Sequence, residues 1–240
     1  MINELILILS LVGLYSAVLF FYYFFGNTGL YVYSAIAGVL SNIEILITIQ
    51  AFSMNQTLGN ILFATTFLIT DILSETTGKK AAQKAVNISI CVSIFFCLLS
   101  QSWLLYVPDK ENVFFPHITK IFSNTPRFVI ASFLVYLICQ QFDVWFYHKI
   151  WDWTNKKFGN TKKYLWLRNN LSTLVSQFIN VFLYAFGAFY GIYKIKVLFD
   201  IIVVSYIIFI FTSLLDTPII YLARKIYIIK KNREKKKGHF

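Results

Sequence analysis

The chain has 240 residues, of which 58% are hydrophobic, 19% aromatic and only 14% charged. A soluble domain carries roughly a quarter charged residues, so this composition excludes an ordinary water-exposed globular surface and points to a bilayer as solvent. The formal net charge of +11 would admit a nucleic-acid partner, but its placement along the chain reads as membrane topology instead.

Apolar stretches of about 20 residues are the signature of membrane-crossing helices. Seven occur, at 3–25, 29–51, 58–76, 84–107, 127–150, 167–192 and 197–223. They predict an all-α integral membrane protein, a bundle of seven transmembrane helices. It divides into an N-terminal span (1–26), a six-helix core (27–226) and a basic tail (227–240). The first stretch has only Ser10 and Ser16 among apolar and aromatic residues after Glu4. It is too long for the apolar core of a signal peptide and lacks a basic leader, so it reads as a span, with cleavage near Gly26 the alternative.

Basic residues cluster in three places. Lys79, Lys80 and Lys84 follow span three. Lys149, Lys156, Lys157, Lys162, Lys163 and Arg168 follow span five. The end of the chain, from Arg224 to Lys237, holds eight more, so these places contain 17 of the 22 lysines and arginines. Cytoplasmic loops carry such an excess, which predicts the N-terminus outside and the C-terminus in the cytoplasm. An odd number of spans follows, in a multi-pass protein of a bacterial cytoplasmic membrane. The tail reads as a segment lying near anionic lipid, with no nucleic-acid partner.

Cys91, Cys97 and Cys139 fall inside spans and indicate no disulfide framework. His117, His148 and His239 have no zinc-ligand spacing, and no phosphate-binding loop or nucleophile elbow is found. No cofactor, metal or enzymatic activity is expected. The loops 108–126 and 151–166 are too short for a soluble domain, and "VPDK" and "FFPH" mark the first as an ordered loop or short interfacial helix.

A carboxylate at the centre of a spanning helix costs about 2.5–3.5 kcal/mol on insertion scales, so it faces a partner, a cavity or the interface. Span two carries Asn42 and Glu44, placed towards the middle or outer half of 29–51. In span three, Asp71, Ser74, Glu75 and Gly78 share one helical face. Two readings stay open for Asp71 and Glu75. They form an interfacial acidic pair answering Lys79 and Lys80, or they hold a ligand or an arginine from another span. Acids near a helix C-terminus oppose the macrodipole and need such a partner. Arg168 is the candidate for Glu75, leaving Asp71, one turn deeper, to face a pocket.

Span five ends with Gln140 and Asp143 on one face and Tyr147 a turn further. Span six carries a polar stripe of Asn169, Thr173, Ser176, Gln177 and Asn180, next to Asn170 and Arg168. Span seven has Asp216, followed by Pro218, which is expected to kink the helix.

These stretches resemble the queuosine precursor transporters, also called the vitamin uptake transporter family. The resemblance is carried by "GLYVYSAIAGVLSNIEIL" (29–46), "TLGNILFATTFLITDILSETTGKKAAQKAV" (57–86), "QQFDVWFYHK" (140–149), "WLRNNLSTLVSQFIN" (166–180) and "LLDTPIIYLARK" (214–225). It implies an importer of 7-deazaguanine bases such as 7-cyano-7-deazaguanine or 7-aminomethyl-7-deazaguanine, used for tRNA modification. It places the site on Asn42, Asp71, Glu75, Gln140, Asp143, Arg168, Asn169, Asn170, Gln177 and Asp216. Two positions depart from the family pattern. Asn180 and Val181 stand where the family has Asp and Thr, and Glu44 stands where Gln is common. Both Glu44 and Asn180 are kept as candidates.

The residue types suit such a base. A carboxylate accepts N1–H and the 2-amino group side by side, amides supply donors and acceptors for the other edges, and aromatic side chains wall its faces. An alternative of another class stays open: a substrate-binding subunit of an ATP-driven uptake system with a separate energising module. A second copy of the chain stays open as a partner.

Overall fold

The computed structural model describes residues 2–52, 54–122, 126–159, 164–191 and 193–237. Its elements are α1 (Ile2–Glu44), β1 (Thr48–Ala51), β2 (Met54–Thr57), α2 (Gly59–Thr76), α3 (Lys79–Trp103), α4 (Phe115–Phe122), α5 (Pro126–Phe158), α6 (Leu165–Phe189) and α7 (Ile195–Lys237). Five of these helices, α1, α3, α5, α6 and α7, contain stretches long and apolar enough to cross a membrane. The protein is an all-α multi-pass membrane protein.

The helix α1 is two arms rather than one rod. Gly26 has φ 60° and ψ −141°, a conformation open to glycine and strained for other residues. The chain reverses there. The rings of Phe21 and Tyr33 lie 5.5 Å apart, and the Tyr33 hydroxyl donates to the Leu14 carbonyl at 3.3 Å. At Gly29 the arms come so close that a Cβ would sit 2.3 Å from the Phe21 carbonyl oxygen. The first two expected spans are therefore the arms of one helical hairpin.

The helix α2 is the axis of the bundle. Fifteen of its 18 residues are buried, and it touches α1, α3, α5, α6 and α7. Those five elements pack in the ring order α1, α3, α5, α6, α7 and back to α1. At 1.5 Å per residue α2 is about 27 Å long, close to the hydrocarbon thickness of about 30 Å. Its apolar face joins Leu68, Ile69, Ile72 and Leu73 to Tyr15, Val18 and Leu30 of α1 and to Ala82, Ala85 and Val86 of α3. The alanines let α3 approach closely, as small residues do between membrane helices.

Several boundaries differ from the sequence expectation. Span two was expected to reach residue 51 but is helical only to Glu44. Residues 48–51 instead pair antiparallel with 54–57, Thr48 opposite Thr57 and Ala51 opposite Met54. The 18 residues from Asn27 to Glu44 suffice to cross, and the remaining backbone satisfies its amides by pairing with itself. The lysines expected in a loop after span three belong instead to the first turns of α3, because only Thr77 and Gly78 separate it from α2. The helix α5 runs on through Trp151 and Trp153 to Phe158, shortening the expected loop. The tail is helical as far as Lys237, and Pro218 lies inside α7. The segment 108–126 does contain a short helix, α4, without buried residues.

Contacts fix which ends lie together. Asn27 bonds Thr77 at 3.0 Å, and Lys230 donates to the Tyr22 carbonyl at 3.2 Å. At the opposite end Asn3 donates to the Gln50 carbonyl at 2.8 Å, and the Phe52 amide donates to Glu4 at 3.2 Å. The stretches rich in lysine and arginine thus gather at the end away from the β-hairpin.

Two measurements test this arrangement. In a cysteine-free background, a cysteine replacing Lys110 should react with an impermeant maleimide added to intact cells, and one replacing Lys231 should not; labelling at 231 alone would invert the orientation. Gly29→Val should sharply reduce recovery of monodisperse protein, whereas Gly13→Ala, at a position with nothing within 4 Å of the added Cβ, should leave it unchanged.

Candidate substrate site

Two layers of polar residues are stacked along α2. The layer at the lysine-rich end is an ion-pair knot. Glu75 receives Arg168 Nη2 in a very short contact and Arg168 Nε at 3.1 Å. Its other oxygen meets Arg224 Nη1 at 3.1 Å, and the Tyr147 hydroxyl donates to Glu75 Oε2 at 3.1 Å. The guanidinium of Arg168 lies 4.1 Å from the Trp151 ring centroid, a cation–π contact. The Glu75 and Arg168 side chains are 2% and 0% exposed, and that of Arg224 is 19%. Four helices, α2, α5, α6 and α7, are tied here. The expected pairing of Glu75 with Arg168 is present; the interfacial pairing with Lys79 and Lys80 is not the arrangement found.

The deeper layer holds three buried aspartates from three helices: Asp71 of α2, Asp143 of α5 and Asp216 of α7. They lie near enough to interact electrostatically. Thr173 donates to Asp71 Oδ2 at 3.1 Å, and Ser176 donates to Asp143 Oδ1 at 2.7 Å. The Tyr15 hydroxyl stands beside Asp216 while reaching the Thr212 carbonyl at 3.3 Å. Asp71 Oδ1, Asp143 Oδ2 and Asp216 Oδ1 are buried with no hydrogen-bond partner. Among the described residues no three His, Cys, Asp or Glu side chains are disposed to hold a metal ion.

Amides complete this layer. Gln140 donates to Thr66 at 2.5 Å, leaving its Oε1 unpartnered. Asn169 donates to Thr217 at 3.1 Å, leaving Oδ1 unpartnered. Gln177 accepts from Asn180 at 3.1 Å, leaving Nε2 unpartnered. Native structures pair the large majority of buried polar atoms, so each unpaired one calls for an explanation. Seven such atoms, counting Ser74 Oγ, belong to this layer on α2, α5, α6 and α7, and His148 Nε2, stacked by Trp151, is an eighth on these helices. Asn170 is engaged structurally: it bonds the Trp166 carbonyl and Thr217, both at 2.8 Å.

A cavity of about 670 Å³ opens at the β-hairpin end. Its lining includes Asn42, Asn60, Phe63, Asn180, Tyr184 and Phe209. Asn180 lies on this lining and bonds Gln177, so the stripe on α6 runs from cavity to buried layer. The rings of Phe63 and Phe209, 6.4 Å apart, also lie on the lining. Asn42 is tied to Gly38 at 2.7 Å and by a short bond to Ser132. Glu44 closes α1 and is half-buried, outside the cavity lining and away from the aspartate layer; the early end of the helix removed it from mid-span.

Twelve side chains were expected at the site. The structure brings Asp71, Gln140, Asp143, Asn169, Gln177 and Asp216 into the buried layer, sets Glu75 and Arg168 in the knot, and places Asn42 and Asn180 on the cavity. Three contributors were missed: Tyr15, Arg224 and Thr217. Tyr15 is one of several hydroxyls in a span without charge after Glu4, Thr217 adjoins Asp216, and Arg224 was counted only as topology charge.

With this geometry in view, comparison with known proteins is informative. Residues 57–223 match the family described as "Putative vitamin uptake transporter". The chain belongs to that family. It is also 34% identical over 208 residues, 87% of this chain and 89% of its relative, to a Bacillus subtilis (strain 168) protein named "Probable queuosine precursor transporter". No solved structure matches it. The match begins at β2 and ends just short of Arg224, so it spans α2 through the Asp216 turn of α7, including both polar layers apart from Tyr15 and Arg224.

Removing one partner of a buried ion pair typically costs about 3–5 kcal/mol. Glu75→Ala should therefore lower the melting temperature and the yield of folded protein strongly. Arg224→Ala, which removes the partly exposed partner, should do so less. Equal losses, measured by size-exclusion recovery after heating, would assign the knot's stability to Arg224 rather than Arg168.

Proposed function

We propose that this transporter imports queuosine precursors, the 7-deazaguanine bases that are inserted into tRNA, and binds them in the layer formed by Asp71, Asp143 and Asp216 with Gln140, Asn169 and Gln177. The observation that carries this reading is the set of unpartnered carboxylate and amide atoms buried in mid-bundle. The name printed for the Bacillus subtilis relative supports the ligand class.

The Watson–Crick edge of such a base presents N1–H and a 2-amino group as adjacent donors. A carboxylate with a free oxygen accepts them in one plane, and Asp71, on the central helix beside the α6 stripe, is assigned this role. A base with an acceptor at N1, such as adenine, would place that acceptor against the carboxylate and leave a buried group unpaired, a strong ground for rejection. Asn180 and Asn42 line the approach, and the Glu75 knot holds the helices at the lysine-rich end. The knot is assigned to holding the fold, the aspartate layer to binding.

Restoration of queuosine in tRNA tests the reading. In cells unable to make the precursor, expression of the protein with an external 7-deazaguanine base should restore the modification. Asp71→Asn should abolish restoration at normal membrane abundance and unchanged melting temperature. Wild-type protein that reaches the membrane yet restores nothing with any such base would refute the proposal. Uptake by the purified protein alone in liposomes marks a self-sufficient carrier. Binding without uptake there marks a substrate-binding subunit with a separate energising module.

A further inference from the structure

We infer that this site, taken as the 7-deazaguanine site proposed above, selects the base carrying a positively charged aminomethyl arm over its neutral cyano counterpart. Two independent features of the buried layer lead to this: its charge and its inventory of free donors and acceptors.

Asp71, Asp143 and Asp216 are each 1% exposed or less. Among the described residues Arg168 is the only buried lysine or arginine, and its ion pair is with Glu75. The knot thus engages that buried cation, and among the described residues no other buried lysine or arginine stands by the aspartate layer. Charges inside a low-dielectric bundle interact far more strongly than in water. An ammonium entering this layer can pair with a carboxylate and favours its ionised form, whereas a neutral ligand brings no counter-charge to the three acids. Buried charges are retained where they are paired, and here the ligand supplies the opposite charge.

The free atoms point the same way. Five are oxygens that accept when their groups are unprotonated: Asp71 Oδ1, Asp143 Oδ2, Asp216 Oδ1, Gln140 Oε1 and Asn169 Oδ1. Only Gln177 Nε2 is solely a donor, and Ser74 Oγ can serve as either. Both bases share the ring donors at N1, N9 and the 2-amino group. They differ at the 7-substituent. The aminomethyl arm ends in an ammonium with donors only. The cyano arm ends in a nitrogen that can only accept, and it would compete with the ring O6 for the few donors present. An unmet buried group costs more than a made hydrogen bond returns, so the mismatch acts against the nitrile and in favour of the ammonium.

Equilibrium binding to the purified full-length protein in lipid nanodiscs at neutral pH decides the matter. Three ligands are compared: 7-aminomethyl-, 7-cyano- and 7-methyl-7-deazaguanine. The last keeps a small substituent but lacks the amine. The aminomethyl base should bind about tenfold or more tightly than either neutral base. Asp143→Asn and Asp216→Asn should each shrink that ratio, weakening the aminomethyl base more than either neutral base. Should either variant fail to fold, the three wild-type affinities are sufficient to decide between charge selection and its absence. Equal affinities, or tighter binding of the cyano base, would overturn the charge selection while leaving a 7-deazaguanine carrier standing. Binding of none of the three by folded protein would overturn both.

Discussion

The contact on which the structure depends is the one between Glu75 and Arg168. Glu75 sits on the central helix with its side chain almost wholly buried, and Arg168 is fully buried on α6. Each alone would be an uncompensated ion in a bundle interior. Together with Arg224 and Tyr147 they tie the axis to three of its five surrounding elements. The cost of taking such ions out of water is offset only by close geometry and by hydrogen bonds to the remaining atoms. Trp151, stacked on the guanidinium, adds to that compensation and shields it.

A consequence of the knot is the state of the aspartate layer. Because Arg168 is committed to Glu75, Asp71, Asp143 and Asp216 are satisfied only in part, by hydroxyls of Thr173 and Ser176 and by the neighbouring Tyr15. Hydroxyls on the α6 stripe anchor one oxygen of Asp71 and of Asp143 and so orient the other. The result is a buried layer in which one oxygen of each of these three aspartates has no hydrogen-bond partner. The cavity at the hairpin end is lined by aromatic rings and amides, and the charged knot occupies the opposite end. An open carboxylate and an ion-paired one thus lie on one helix, Asp71 and Glu75, a single turn apart.

The membrane explains why the fold takes this form. Backbone amides must be paired internally in a bilayer, so the chain crosses as helices, and the short β-hairpin occurs at an end of the bundle. Reversals are made with few residues. Gly26 turns α1 back on itself, and Thr77 and Gly78 suffice between α2 and α3. The polar side chains that cannot be avoided are drawn inward onto α2, whose neighbours bury it on every side.

The sequence by itself determined the membrane character, the helical class and the polar faces of α2, α5 and α6. These follow from composition, run length and a 3.6-residue period, which are local properties. The pairing of Glu75 with Arg168 was also legible, because two opposite charges at matching depths in apolar helices have little choice. Only the tertiary structure decided which polar residue was satisfied by which. Glu44 read as a mid-span acid, but the helix ended beneath it once 18 residues had crossed. Tyr15 read as part of a featureless anchor, yet it packs against the Asp216 turn of α7, 201 positions along the chain. Arg224 read as a cytoplasmic charge and proved to be the second cation on Glu75. Such outcomes depend on the order of helices around α2 and on their relative rotation, which long-range packing sets and no local pattern encodes.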